Sequence, residues 1–341
     1  MTSVPVAPAT RIETSRPVLV IGILVLLAAL LMCGFFVGSG GYTVSDAWNA
    51  IRGIGDPTTV EVIRNNRVPR TLLAAVVGVA LGVAGSIMQG LTRNPLADPG
   101  ILGVNAGAYF AMIIGAVALG VSSTLGYMMC ALVGAFVAAT TVYLIGSRGM
   151  AGASPAKLVL TGVAVGSLFS GIGFGLTMIT PQAFDQIRGW QVGTLDGRNW
   201  EELSIVWAPI LVAALTALFL IPQLNGLALG DDRARALGVP VTRVRAIGFV
   251  LVTVLCGAAT AAVGPLTFIG LMVPHAVRTI FGPDNKWLIP VSLVVGAIVV
   301  TGADVLARIL TPSELPVGMV TAFLGAPVLI YLARRRGVAE L

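Results

Sequence analysis

Charge is what this sequence lacks. Only 11% of its 341 residues are Asp, Glu, Lys or Arg, against roughly a quarter in a soluble domain. A chain with so little charge turns most of its surface toward lipid or toward its own helices. Its single histidine, His275, excludes a multi-histidine metal centre and reads as a hydrogen-bonded structural residue beside Pro274 and Arg278. The three cysteines, Cys33, Cys130 and Cys256, stand far apart inside apolar runs. They fit no zinc or redox spacing and read as small buried hydrophobes. No GxxxxGK[ST] loop is present, so this chain is not expected to hydrolyse ATP. No serine–histidine pair and no paired carboxylates stand where an intramembrane enzyme would need them. No segment is long and polar enough for a second, soluble domain, so residues 1–341 read as one transmembrane domain.

What the chain has instead is apolar sequence and glycine: 56% hydrophobic residues and 42 glycines, with 6% aromatics. Small residues let helices approach closely in lipid. Ten hydrophobic segments can be marked off, at 17–37, 70–92, 99–118, 124–146, 156–180, 201–222, 244–263, 266–281, 287–308 and 316–333. The first reaches about 32 Å as a helix, enough to cross a bilayer. It is longer than a signal core, no small-x-small cleavage site follows, and it reads as an uncleaved first span. The eighth opens on Gly264-Pro265 and is short enough for a partial or tilted helix. The expected fold is therefore an all-α polytopic membrane protein with about ten transmembrane helices.

The net charge of +6 is not a nucleic-acid footprint, and no nucleic acid is expected as a partner. The basic residues sit in short loops between apolar runs, where they set topology. With the N-terminus inside, the 21 Lys and Arg residues divide about two to one in favour of the cytoplasmic side. Both termini are expected there, the C-terminus anchored by Arg334, Arg335 and Arg336. Three polar segments are longer than a turn. Residues 38–69 and 181–200 fall outside, the second carrying Trp190 and Trp200 as interfacial anchors. Residues 223–243 fall inside. There Gly230 can start a short helix with Asp231 and Asp232 in its first turn, favourable to the helix dipole. Ala234 and Leu237 offer an apolar face, Gly238 suits a left-handed cap, and Pro240 prevents continuation. A docking surface for a cytoplasmic partner and a helix resting on lipid headgroups both fit this pattern.

The most informative stretch runs from Arg67: RVPRTLLAAVVGVALGVAGSIMQGLTRNPLADPGILGVNAGA. It is followed in order by GWQVGTLDGRNW, LNGLALGDDRARALGV, GPLTFIGLMVPHAVR and GADVLARILTPSELPVGMVTAFLGAPVLIYL. On these residues the chain resembles the FecCD-type permeases, the membrane subunits of ABC importers for iron-siderophores, haem and vitamin B12. The resemblance implies a type II ABC importer permease fold with ten helices per subunit in a bacterial cytoplasmic membrane. It also implies a second permease subunit, identical or homologous, two cytoplasmic ATPase subunits and an extracytoplasmic substrate-binding protein. ATP and Mg would be held by the ATPases, and no cofactor is implied for this chain. Ferric siderophore is the leading cargo, with haem and a corrinoid as the alternatives.

The same resemblance assigns roles. Leu229, Gly230, Asp231, Asp232, Arg233, Ala234, Leu237 and Gly238 would meet a groove on the ATPase as the coupling element. Arg67 and Arg70 at the outer end of the second span, and Arg308 at the outer end of the ninth, would receive acidic residues of the binding protein. Arginine forks suit that pairing. The gate is expected at the fifth helix and its approach, where Ser154 precedes Pro155 and Ala156 and where Gly162 and Gly166 form a small-xxx-small face. Gln89 and Asn105 are polar candidates for the gate lining, with capping or interhelical hydrogen bonding as the other reading. An ion-coupled secondary transporter is the rival function. Its main candidate is Asp304, an intramembrane acid with Arg308 one helical turn away, which a local ion pair explains equally well.

Overall fold

The computed structural model describes residues 16–38, 42–147, 155–180, 187–311 and 314–335. Among them every regular element is helical. Hydrocarbon offers no partner to a backbone N–H or C=O, so a spanning segment must satisfy those groups internally. The order begins with α1 (Arg16–Phe36), the short α2 (Val44–Ile51) and α3 (Pro57–Glu61), and a π-helical turn over Val62–Arg67. It continues with α4 (Val68–Thr92), α5 (Val104–Ala118), α6 (Thr124–Gly146), α7 (Pro155–Ile179) and α8 (Trp200–Phe219). Two short helices follow, α9 (Ile221–Ala228) and α10 (Asp231–Ala236). The chain closes with α11 (Val241–Val263), α12 (Ile269–Phe281), α13 (Asn285–Leu310) and α14 (Val317–Arg335).

The helix starts are written locally. Asn199 accepts from the Glu201 N–H at 2.7 Å, and Glu202 accepts from the Asn199 N–H at 2.9 Å, a capping box that opens α8. Ser123 caps α6, and Asp284 caps α13. Asp284 also accepts from Asn225, and the Lys286 N–H leads the bonds that hold its carboxyl below the usual carboxylate range. Helix α4 stops where Arg93 turns left-handed at φ 52.

Helix α4 is the axis of the bundle, with α13, α11, α12 and α8 packed around it. Glycine makes this possible. A Cβ on Gly78 would lie 2.2 Å from the Gly296 carbonyl oxygen of α13, and one on Gly85 would lie 1.9 Å from the Gly270 oxygen of α12. Any larger residue would drive backbone from backbone, which is the small-residue packing that lipid-embedded helices use in place of a hydrophobic drive. The periphery is different. Helices α1 and α7 turn most of their apolar side chains outward, Ile21 and Val25 on the first and Leu160 and Met178 on the second.

Each of the ten expected segments contains a helix, but among the described residues seven helices are long and apolar enough to cross a membrane. The short ones are α5, α12 and the apolar part of α14. Helix α5 does not start at residue 99. Residues Pro99–Leu102 form a 3-10 turn, and Gly103 at φ 77 breaks it from the helix. Helix α12 starts only after Gly264, Pro265 and a left-handed Phe268. Each of the two runs about 20–22 Å, less than a hydrocarbon core. The irregular backbone before them is buried in protein, where such backbone is tolerated. Pro99 packs on Gly270, and Asp98, Pro99 and Gly100 share a small cavity with Leu81 in the middle of α4 and Cys256 in α11. The span expected to end at residue 222 also breaks earlier, at Leu220, before Pro222 in the first turn of α9.

Candidate functional site

Three places carry the expected site residues. The first is the end of the bundle that holds α9 and α10. Gly230 at φ 97 precedes α10, and Gly238 at φ 80 follows it. The Gly238 and Val239 N–H groups return to the Arg235 and Ala234 carbonyls at 2.9 Å each, closing the helix as its sequence directs. Asp231 does not sit free in the first turn. It accepts from Arg245 of α11 at 2.9 Å and lies 3.6 Å from Arg93 at the end of α4. Asp232 pairs with Arg235 on the exposed surface at 3.1 Å, and Arg233 is exposed.

Ala234 and Leu237 do not share one face. Ala234 is fully buried against the bundle, whereas Leu237 is 66% exposed and Leu229 52% exposed. Leu237 lies one position beyond the six-residue helix, at its C-cap, so the buried alanine anchors it and the two leucines flank it outward. Helix α9 is tied in as firmly, with Leu224 and Leu227 buried. Asn225 donates to Asp284 at 2.9 Å and accepts from the side chain of Asn285 at 2.7 Å and from its backbone at 3.0 Å. The α9–α10 platform is thereby bonded to α4, α11 and α13. Asn225, Arg93, Arg245, Asp284 and Asn285 were not singled out from the sequence. Their partners are separated along the chain, and no local pattern announces them.

The second place is the opposite end. Arg67, Arg70 and Arg308 meet there, but all three are buried, 6%, 8% and 4% exposed. Arg70 donates to Asp304 through Nε at 2.9 Å and to Glu314 through Nη1 at 2.5 Å. Arg308 pairs with Asp304 and donates to the Gly34 carbonyl at 2.8 Å and to Thr71 at 3.1 Å. Asp304 is fully buried between two guanidiniums, so the α13 ion pair is one half of a triad that locks α1, α4 and α13. The cluster borders a cavity of about 200 Å³, lined by Asn66, Arg67, Arg70, Asp196, Arg308 and Glu314. Trp200 is half exposed beside it, and its Nε1 donates to the Arg64 carbonyl at 2.9 Å. Trp190 is not an interfacial anchor. It is 6% exposed, and its carbonyl faces Gly264 so closely that a Cβ there would stand 2.0 Å away.

The third place is a groove of about 690 Å³ between α5 and α7. Asn105, Gly162 and Gly166 all line it, so three of the proposed pathway residues come together. Gln89 does not join them. It is buried at the other end of α4, accepting from Arg278 at 3.1 Å and donating to the Leu271 carbonyl at 3.4 Å. Ser154 lies outside the described residues. Asn105 also accepts from Thr260 of α11 at 2.8 Å. The groove is lined further by Tyr109, Ser167, Ser170 and Gln191, which the sequence reading passed over, and by the aromatic Phe174 and Trp190. Among the lining residues none carries a formal charge. Such a wall can pass a bulky cargo with weak hydrogen bonds and stacking, without trapping it.

Comparison with known proteins agrees with this geometry. The family model described as the FecCD transport family matches residues 25–335. The ferric enterobactin transport system permease protein FepD of Escherichia coli K12 is 44% identical over 325 residues, covering 95% of this chain and 97% of the relative. The iron(3+)-hydroxamate import system permease protein FhuB of Bacillus subtilis 168 is 38% identical over 321 residues, covering 92% of this chain and 83% of the relative. A solved metal-chelate type ABC transporter in an inward-facing conformation superposes with a TM-score of 0.82 at 30% identity, covering 94% of this chain and 99% of that one.

Proposed function

Since this chain belongs to the FecCD transport family, we propose that it is the transmembrane permease subunit of an ATP-binding-cassette importer that moves ferric siderophores into the cytoplasm. Two ATPase subunits bind and hydrolyse ATP with Mg, and this chain converts their movement into an opening between membrane-embedded walls. A second permease subunit completes the pathway by closing over the exposed faces of α7 and the α5–α7 groove. The α10 end faces the cytoplasm together with both termini, in a bacterial cytoplasmic membrane. The arginine end faces outward and receives the substrate-binding protein, whose acidic side chains reach Arg67, Arg70 and Arg308 through the cavity above them.

The observation that carries this reading is the α9–α10 platform. A helix resting on headgroups needs no charged bonds back into the bundle. This one has Asp231 bridged to Arg245 and Arg93, and Asn225 bridged to the cap of α13. It leaves Leu229 and Leu237 outward for a partner. A push on the platform therefore moves α4, α11 and α13 together. Alternating access follows when that movement opens the groove toward one side and then the other.

The Leu229→Arg/Leu237→Arg variant tests the platform directly. Both side chains are exposed, so folding is expected to be unchanged. Binding of the ATPase subunits to the purified permease is expected to weaken by tenfold or more, about 1.4 kcal/mol, as read by biolayer interferometry. Unchanged ATPase binding would remove the platform from the coupling interface.

A second reading has one observation in its favour. Tyr109, Phe174 and Trp190 in the groove wall suit the flat face of haem or a corrinoid, which stacks on aromatic rings. Ferric siderophores stay ahead because the uncharged hydroxyl and amide groups of Ser167, Ser170, Asn105 and Gln191 suit an oxygen-rich chelate.

A further inference from the structure

The segment between α1 and α4 carries a second feature, on the outer flank of the bundle. Helix α2 is fixed at its start by a capping box, in which Thr43 and Asp46 bond reciprocally. Around its axis the residues divide into three arcs. Ala47 and Ala50 are fully buried and pack with Ile63. Ser45, Asp46, Asn49 and Arg52 form an exposed polar arc. Between these arcs Val44 and Trp48 stand four residues apart on one stripe, 63% and 53% exposed, and Ile54 just beyond the helix is 53% exposed. A helix held by one arc, with an apolar stripe beside it and a polar arc opposite, is built for an apolar–aqueous boundary.

Its position says what lies there. Helix α1 is the least buried of the long apolar helices and packs on α13 and α4, with its outward side chains meeting lipid. Its 21 residues reach about 32 Å, so Phe36 at its last position stands at the edge of the hydrocarbon layer. The Trp48 ring lies 6.5 Å from the Phe36 ring. The α2 stripe therefore continues the lipid-facing surface of α1 around a corner. It lies away from α7, the groove and the α9–α10 platform.

We propose that α2 is an interfacial foot, with Val44, Trp48 and Ile54 seated in the headgroup–acyl boundary of the bilayer leaflet at the arginine end. Tryptophan is suited to that depth, its ring in the acyl border and its N–H toward water. The foot fixes the height of the arginine cluster relative to the membrane, because Arg67 and Arg70 follow α2 through α3 and the π turn. This inference needs a bilayer only and holds whichever way the chain is oriented.

The test uses the full-length chain in vesicles of phosphatidylglycerol and phosphatidylethanolamine, with and without lipids brominated at the upper acyl carbons. The Trp48→Phe variant keeps an aromatic ring at the site, and its emission subtracted from that of the unaltered chain isolates Trp48. Brominated lipid is expected to quench that component by about twofold or more, as for a ring at the boundary. As a second measurement, the native cysteines are replaced by alanine and a nitroxide is placed at Val44→Cys. It is expected to be more accessible to oxygen, which partitions into lipid, than to a water-soluble nickel chelate. A Trp48 component quenched by aqueous iodide and not by brominated lipid would overturn the proposal, as would a nitroxide open to the chelate until a binding protein is added.

Discussion

Replacing Asp304 with alanine is expected to destabilise the protein by about 3–5 kcal/mol, the cost of removing one partner from a buried charge cluster. Asp304 is fully buried and serves Arg70 and Arg308 at once. Without it Arg308 keeps its bonds to the Gly34 carbonyl and Thr71, neither of which carries charge. Water restores little of the balance, because the side chain of Arg308 is 2% exposed. The contrast is the Asp304→Asn/Arg308→Gln double variant, which removes one charge of each sign and leaves Arg70 with Glu314 at 2.5 Å. It is expected to recover more than half of the loss. Thermal unfolding in detergent reads both. A single variant within about 1 kcal/mol of the unaltered chain would mean the triad behaves as an exposed pair.

The second large effect is steric. Gly85→Leu is expected to cost about 3 kcal/mol or more, beyond ordinary overpacking, because the obstacle is backbone. The Gly270 carbonyl oxygen lies 1.9 Å from where the new Cβ would sit, and the Gly270 Cα lies 2.6 Å away. No side-chain rotation relieves that, so α4 and α12 must separate and the Pro99 turn packed on Gly270 must move with them. Gly22→Leu in α1 is the control. Nothing stands within 4 Å of its Cβ position, and leucine favours the helix over glycine by roughly 0.5–1 kcal/mol. Size-exclusion profiles of the two variants should diverge, the first aggregated and the second monodisperse. A monodisperse Gly85→Leu protein would show that the central crossing tolerates a gap.

Much of the architecture is legible in the sequence for a plain reason. A bilayer rewards long apolar runs, and hydropathy reports them directly, so each of the ten segments contains a helix, though three have shifted ends. The α10 helix is legible for another reason: its glycine start, paired acids and glycine stop are local signals that need no tertiary information. The breaks before α5 and α12 are harder to read. Residues 99–118 carry no charge and only one amide side chain, Asn105, and a hydropathy window does not see that Gly103 turns left-handed. Distance along the chain hides the remainder. Asp304 reads as a local pair with Arg308, yet its second partner, Arg70, is 234 positions away. Asn225 meets Asp284 and Asn285 from about sixty positions off. Trp190 looks like an anchor by type, and only the fold reveals that Gly264 and Gly193 close over it.

The central claim is that energy enters through separate ATPases and that this chain only transmits it. Uptake of radiolabelled ferric siderophore into proteoliposomes tests it most directly. The permease, ATPases and binding protein are reconstituted together, with ATP on the ATPase side and ionophores present. Uptake is expected to require ATP and the ATPases and to survive collapse of the proton and sodium gradients. Accumulation by the permease alone, driven by an imposed gradient and indifferent to ATP, would contradict it.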